Sequence, residues 1–161
     1  MIIGPPLPIS PPTWDFTADK IAKTTSDALS SHEEALNKIA ALTPEECNFE
    51  TVLRTMANAD LAIELALSQP QFMQYVSTDK AIRDASVETE KKTSEYSITA
   101  SMRMDVFESL KHAEKNTDVS KLSAEEKRFL EKELVCRPSL LSTSADSRFV
   151  ARSQEIWSGS T

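Results

Sequence analysis

VSTDKAIRDASVETEKKTSEYSITASMRMDVFESL, residues 76–110, contains neither Gly nor Pro. Ser77 or Thr78 can cap its start, since a side-chain oxygen there accepts an otherwise unpaired first-turn N–H. Asp79 and Asp84 sit near that end, where the helix dipole favours acids. Ile82, Ala85, Thr89, Tyr96, Ala100, Phe107 and Leu110 then recur close to a 3.6-residue period. Glu88 with Lys92, and Lys91 with Glu95, are i,i+4 pairs. The pattern predicts one long helix, or two helices meeting end to end near residues 97–99. A helix of that length organises its neighbours, so the other helices are expected to pack on it.

The rest of the chain supports an all-α fold. The 161 residues suit one domain with loose ends, and 40% hydrophobic against 27% charged residues allows a real core. The two glycines, Gly4 and Gly159, lie near the termini. A Gly-rich phosphate loop is therefore excluded from the interior, and tight primed hairpin turns are disfavoured. A net charge of −7 argues against a nucleic-acid partner, which needs clustered Lys and Arg. No apolar run approaches the roughly 20 residues of a membrane span, so no membrane partner is expected. MIIGPPLPISPP has neither the basic region of a signal peptide nor the Arg content of a transit peptide. Cys47 and Cys136, the two cysteines, suggest no disulfide scaffold. A reducing, cytoplasmic setting is the simplest reading.

Taken in order, residues 1–13 form a Pro-rich arm holding five of the eight prolines, expected to be extended or disordered. Thr17 is the expected cap of a first helix over about 18–42, with Ile21, Ala28, Leu29, His32, Leu36 and Ile39 as its apolar stripe. Thr43-Pro44-Glu45-Glu46 reads as a capping box opening a second helix. That helix should stop before Pro70. Phe49, Val52, Leu53, Met56, Ile63 and Leu67 line one face, and Ala57, Leu61 and Leu65 another, so burial on two sides is expected. Phe72, Met73, Tyr75 and Val76 would plug the following corner. Lys115-Asn116-Thr117-Asp118 is a polar turn, and Ser123-Ala124-Glu125-Glu126 a capping box for a helix through about Val135, with Phe129, Leu130 and Leu134 inward. Cys136-Arg137-Pro138 should break it. Residues 136–161 are a Ser-rich tail expected to be disordered or to hold a weak helix over 146–157. The expected fold is thus an antiparallel bundle of about four helices over residues 14–135, with disordered tails.

Residue chemistry alone discloses no activity. His32-Glu33-Glu34-Ala35-Leu36 begins like the H-E-x-x-H zinc motif, in which two His one turn apart reach one metal and the Glu activates water. Leu36 stands where the second His is needed, so His32 reads as an ordinary helix residue. His112, Cys47 and Cys136 have no ligand spacing and no signature of a Cys–His nucleophile. Glu88, Glu90 and Glu95 alternate with Lys91 and Lys92 as a solvated face rather than as general acids and bases. Met102 and Met104 fit core packing better than an adaptable binding surface. The catalytic, cofactor and metal sets are therefore empty.

Within residues 76–110, Ser77, Lys80, Ile82, Arg83, Ala85-Ser86, Lys92, Glu95-Tyr96, Ser101-Met102-Arg103 and Asp105-Val106-Phe107 stand in a fixed order. That series resembles the N-terminal region of the M3 zinc metallopeptidases, the thimet oligopeptidase, neurolysin and saccharolysin group. Thr78 departs from the family's usual Pro and Thr93 from its usual Leu. Trp14-Asp15-Phe16-Thr17 resembles the family's entry to its first helix, and the likeness extends over residues 14–135. The resemblance implies the helical N-terminal part of a two-lobed peptidase whose channel admits short peptides. It also implies zinc, a catalytic lobe and peptide substrates as the partners of full-length members. The family's H-E-x-x-H, its third Glu ligand and its substrate-binding Tyr and His lie in a later region, so no catalytic residue carries over and this chain alone is expected to be inactive. The alternative is a stand-alone helical module binding a peptide or protein.

Overall fold

Thr17 has an extended backbone, and its hydroxyl accepts the Lys20 amide at 3.2 Å, which caps α1 (Ala18–Ala40). A computed structural model describes residues 14–144, with side chains described through residue 134. Among these residues α1 is followed by α2 (Thr55–Val76), α3 (Lys80–Ser101), α4 (Met104–Asn116) and α5 (Ala124–Ser144), and there is no strand. The all-α expectation is met. The Pro-rich arm and residues 145–161, including most of the Ser-rich tail and the weak helix expected at 146–157, lie outside the described residues.

Side-chain pairings fix the topology. Thr25 meets Thr89 and His32 meets Tyr96, both at a separation of 64 residues, so α1 and α3 run parallel. His32 meets Asp60 and Trp14 meets Phe72, so α2 runs antiparallel to α1. Each of these three helices packs against the other two, as a three-helix bundle. At the far end of α1, α4 packs across α1 and the start of α2, and α5 packs on α4. Leu36, Ile39, Val52, Leu53, Met56, Val106, Leu110 and Leu130 are buried together there as an apolar core.

The long stretch resolves into two helices. Met102 ends α3 and Arg103, with ψ 108°, turns the chain before α4. The break falls a few residues after the expected 97–99. No Gly or Pro makes it; side chains do. Arg103 donates to the Asp105 carboxylate at 2.5 Å and 3.1 Å and to Asn37 of α1 at 2.7 Å. Asp105 in turn accepts the Val106 amide at 2.9 Å. Met102 and Met104, expected in the core, are exposed on this corner. At the start of α3 the cap is Asp79, which accepts from the Ala81 amide at 2.8 Å; Ser77 instead accepts from the Asp79 amide.

The second helix differs most from its sequence reading. Thr43 and Glu46 do pair, with the Thr43 amide donating to Oε2 at 2.9 Å, but they close only a single turn. Asn48 then opens the helix with its own capping box to Thr51, and the first turns, Phe49–Arg54, are wound as a π-helix that leads into α2. Pro70, expected to end the helix, lies inside it and is buried. A proline costs one helical hydrogen bond without obliging the helix to end. The turn after it is braced by Ser86 of α3, whose hydroxyl lies 2.6 Å from the Pro70 carbonyl and 2.9 Å from that of Gln71, and accepts the Gln74 amide at 3.0 Å. Residues 70–76 are consequently the last turns of α2, and of the expected corner plug only Met73 is buried.

Two further expectations are corrected. Leu61 and Leu65 are exposed, because α1 and α3 both lie on the opposite side of α2. Helix α5 starts as expected, with Ser123 and Glu126 exchanging bonds of 2.9 Å and 3.2 Å. It then continues through Cys136-Arg137-Pro138 to Ser144. A proline removes one helical hydrogen bond without obliging the backbone to leave the helix.

Candidate functional site

A polar junction among the three mutually packed helices is the first candidate. His32 is buried on α1 and uses both ring nitrogens. Nε2 lies 2.9 Å from Asp60 Oδ1 on α2, and Nδ1 lies 2.8 Å from the Tyr96 hydroxyl on α3. An ionised carboxylate only accepts, so Nε2 carries the proton and Tyr96 donates to Nδ1, a tautomer assigned from its partners. The Tyr96 ring stands edge-on to the imidazole, with centroids 5.6 Å apart. Burial, then the nearby charge of Glu33, pushes the Tyr96 phenol above its ordinary range, which keeps it a proton donor. The junction forms part of the wall of an open pocket of about 240 Å³, also lined by Glu64, Gln71, Ser97 and Ser101.

This junction does not fit a zinc ion. Both imidazole nitrogens are committed, and buried Leu36 occupies the position one turn on from His32. Among the described residues no group of three or more His, Cys, Asp or Glu is placed to hold a metal. Cys47 is buried and its thiol donates to the Thr43 carbonyl at 3.3 Å. Burial pushes that thiol up, the opposite of an activated nucleophile. His112 lies half-buried on α4, and the side chain of Cys136 is outside the described set. Glu88 and Lys92 form an exposed pair at 3.6 Å, and Glu90 accepts from Gln74 at 2.8 Å. The arrangement ties helices together rather than performing chemistry. Asp60 and Tyr96 as the partners of His32 were missed in the sequence, where no local spacing links residues so far apart.

The residues arrayed along 76–110 prove to be joints. Arg83 donates to the carbonyls of Ser77 and Thr78, both at 2.9 Å, and closes the turn between α2 and α3. Ser86 braces the turn after Pro70, Tyr96 holds His32, and Arg103 with Asp105 fixes the α3–α4 corner on α1. Ser86, Tyr96 and Arg103 each hold their own helix against another one.

Over 104 residues, 64% of the chain, the sequence is 32% identical to saccharolysin of Saccharomyces cerevisiae. Over 121 residues, 73% of the chain, it is 26% identical to a thimet-like oligopeptidase of Dictyostelium discoideum. The chain is related to the M3 oligopeptidases. It spans 14% and 18% of the length of these two relatives. No protein-family model matches the chain.

The second candidate is a surface. On α2, Leu61, Leu65, Phe72 and Tyr75 recur along one side of the helix and are 58%, 61%, 46% and 73% exposed. Trp14 lies against Phe72, with ring centroids 6.2 Å apart, and Phe72 against Tyr75 at 6.1 Å. Apart from Asp60 and Glu64, α2 carries no charged residue. A helix side this apolar is normally covered.

Proposed function

We propose that this chain serves as the N-terminal helical part of an M3-type zinc metalloendopeptidase that hydrolyses short peptides in the cytoplasm. The 104-residue match to saccharolysin carries the reading. In that role α1 to α5 build a wall of the peptidase, while zinc and the acid–base groups belong to polypeptide beyond the residues here. When bound, zinc supplies activated water. The residues of this chain contribute rigid placement through the joints at Ser86, Tyr96 and Arg103. The catalytic lobe and short peptides are the partners; nucleic acid and membrane are not, and no described helix is long and apolar enough to cross a bilayer.

A second reading, a stand-alone helical module that binds a peptide or protein, is favoured by the exposed apolar side of α2. Mapping the transcript downstream of the Val135 codon separates the two. A frame that continues into H-E-x-x-H supports the peptidase; a frame that stops after Thr161 overturns it and leaves the binding module. The pure 161-residue chain should show no EDTA-sensitive cleavage of a short quenched peptide. Such cleavage would require a catalytic centre in this chain and would refute the proposal.

A further inference from the structure

The open pocket beside His32 has a hydrogen-bonding pattern that helix packing does not require. We propose that it binds a guanidinium group on a short aliphatic stem, the chemistry of an arginine side chain. The proposal stands independently of the peptidase reading.

The hydrogens of its wall are already spent. A hydroxyl has a single hydrogen to donate and lone pairs with which to accept. On the α3 side, Thr93 donates to the Thr89 carbonyl at 2.8 Å, Ser97 to that of Ser94 at 2.9 Å and Ser101 to that of Ile98 at 2.7 Å. Tyr96 gives its hydrogen to His32 Nδ1, and His32 Nε2 gives its own to Asp60 Oδ1. Every one of these hydroxyls is left with lone pairs alone. On the α2 side, Asp60 and Glu64 stand one turn apart and line the same pocket. Ionised carboxylates only accept. Asp60 Oδ2 and both Glu64 oxygens have no partner among the described residues. Gln71 alone in the wall keeps side-chain hydrogens to give, and its amide oxygen accepts as well. No Lys or Arg lines the pocket, and nearby Arg103 is committed to Asp105 and Asn37.

Such a wall selects a group that donates and does not accept. Neutral hydroxyls and carboxylates make the same demand, so the preference does not rest on charge alone. Guanidinium presents its donors in a planar fork, whereas ammonium gathers fewer around one point. Acceptors spread over two helices favour the fork, and those on Asp60 and Glu64 make its bonds charge-assisted. Buried Leu67 and Ala100 give the pocket an apolar floor for the stem. A volume of about 240 Å³ suits one side chain, below the roughly 300 Å³ at which pockets for drug-sized ligands begin. An anion would bring acceptors to acceptors.

Titration of the full-length chain with N-acetyl-arginine amide at low ionic strength, followed by backbone amide chemical shifts, tests this. Saturable shifts are expected around residues 60–71 and 93–101. N-acetyl-citrulline amide keeps the stem but replaces the cation with a neutral group that also accepts, and should bind several-fold more weakly. Glu64→Gln, at an exposed position, should weaken arginine binding several-fold, while Glu34→Gln removes an exposed charge of α1 outside the pocket and should change nothing. A short Ala-flanked arginine peptide separates the sources. Several-fold tighter binding of the peptide assigns the ligand to a polypeptide, equal binding to a free guanidinium compound, and either upholds the pocket. Equal binding of the citrulline analogue, equal binding of N-acetyl-lysine amide, an unchanged response in Glu64→Gln, or shifts spread evenly over the surface carboxylates would overturn the proposal. The analogue comparison uses the unaltered chain, so it decides even if a variant fails to fold.

Discussion

The two ends of the bundle are held together by different physics. Where α4 packs on the C-terminal half of α1 and α5 on α4, the contacts are dry: Leu36, Ile39, Val52, Leu53, Met56, Val106 and Leu110 are almost completely removed from solvent. Where α1, α2 and α3 run alone, the buried set includes Thr25, His32, Ser86 and Thr89. Thr25 and Thr89 hydroxyls meet at 2.9 Å, His32 bridges Asp60 and Tyr96, and Ser86 reaches into α2. Apolar packing is tolerant of exchange among shapes of similar volume, whereas buried polar groups depend on each partner being present. The dry end therefore supplies bulk stability and the polar end supplies register between helices.

Breaking the dry end should have the largest effect. Leu110→Ala removes a fully buried side chain, and chemical denaturation should show a loss of about 2–5 kcal/mol. A loss well below that would mean the apolar core is not what holds α4. Ser86→Ala attacks the polar end at its most connected point. It strips the partner from the Gln74 amide and the Pro70 carbonyl, so about 1–3 kcal/mol should be lost, with amide exchange rising around residues 70–74 rather than throughout. Uniform exchange would argue that Ser86 is not a local joint. Thr25→Val sharpens the contrast further. The Thr89 hydroxyl keeps the Ala85 carbonyl at 3.0 Å as a partner, so only about 1 kcal/mol is expected, and adding Thr89→Val should recover part of it.

The smallest effect belongs to the α3–α4 corner and appears as a pH dependence. The Arg103 guanidinium, by hydrogen bond and charge, holds the Asp105 carboxyl below its usual range against some opposing desolvation. A carboxyl depressed in the folded state stabilises fully above its unfolded value, near 3.8, and the contribution fades as pH falls through the lower folded value. Asp105 is half exposed, so solvent screening limits the effect to about 0–1 kcal/mol. Arg103→Met should flatten the acid limb of the thermal-midpoint profile below about pH 4. An unchanged limb would place the acid sensitivity in the exposed carboxylates Glu46, Glu108, Asp118 and Glu126 instead.

The same division explains what the amino-acid order disclosed. Periodicity revealed the dry face of α1 and the apolar face of the second helix, because burial of Leu36, Ile39, Val52 and Leu53 depends on spacing along one helix. Thr17 and Ser123 were legible as caps, since the partners lie three residues away. Pro70 misled because a proline costs a helix one hydrogen bond without ending it, and the group that braces the next turn, Ser86, belongs to another helix. Thr43 misled in the other sense: its box forms, yet Asn48 offers a second start five residues later and the chain uses that one. Leu61 and Leu65 have the composition of buried residues and lack a covering neighbour among the described residues, which no helical wheel reveals. The M3 resemblance was legible because the residues that carry it stand in fixed order within a single stretch, 76–110.

Cys47 gives the dry end a clock. Its sulfur is almost wholly enclosed by the core and burial disfavours the thiolate, so an alkylating reagent reaches it only when that end opens. Its labelling half-life, separated from that of Cys136 by peptide mass, would report how often the core opens.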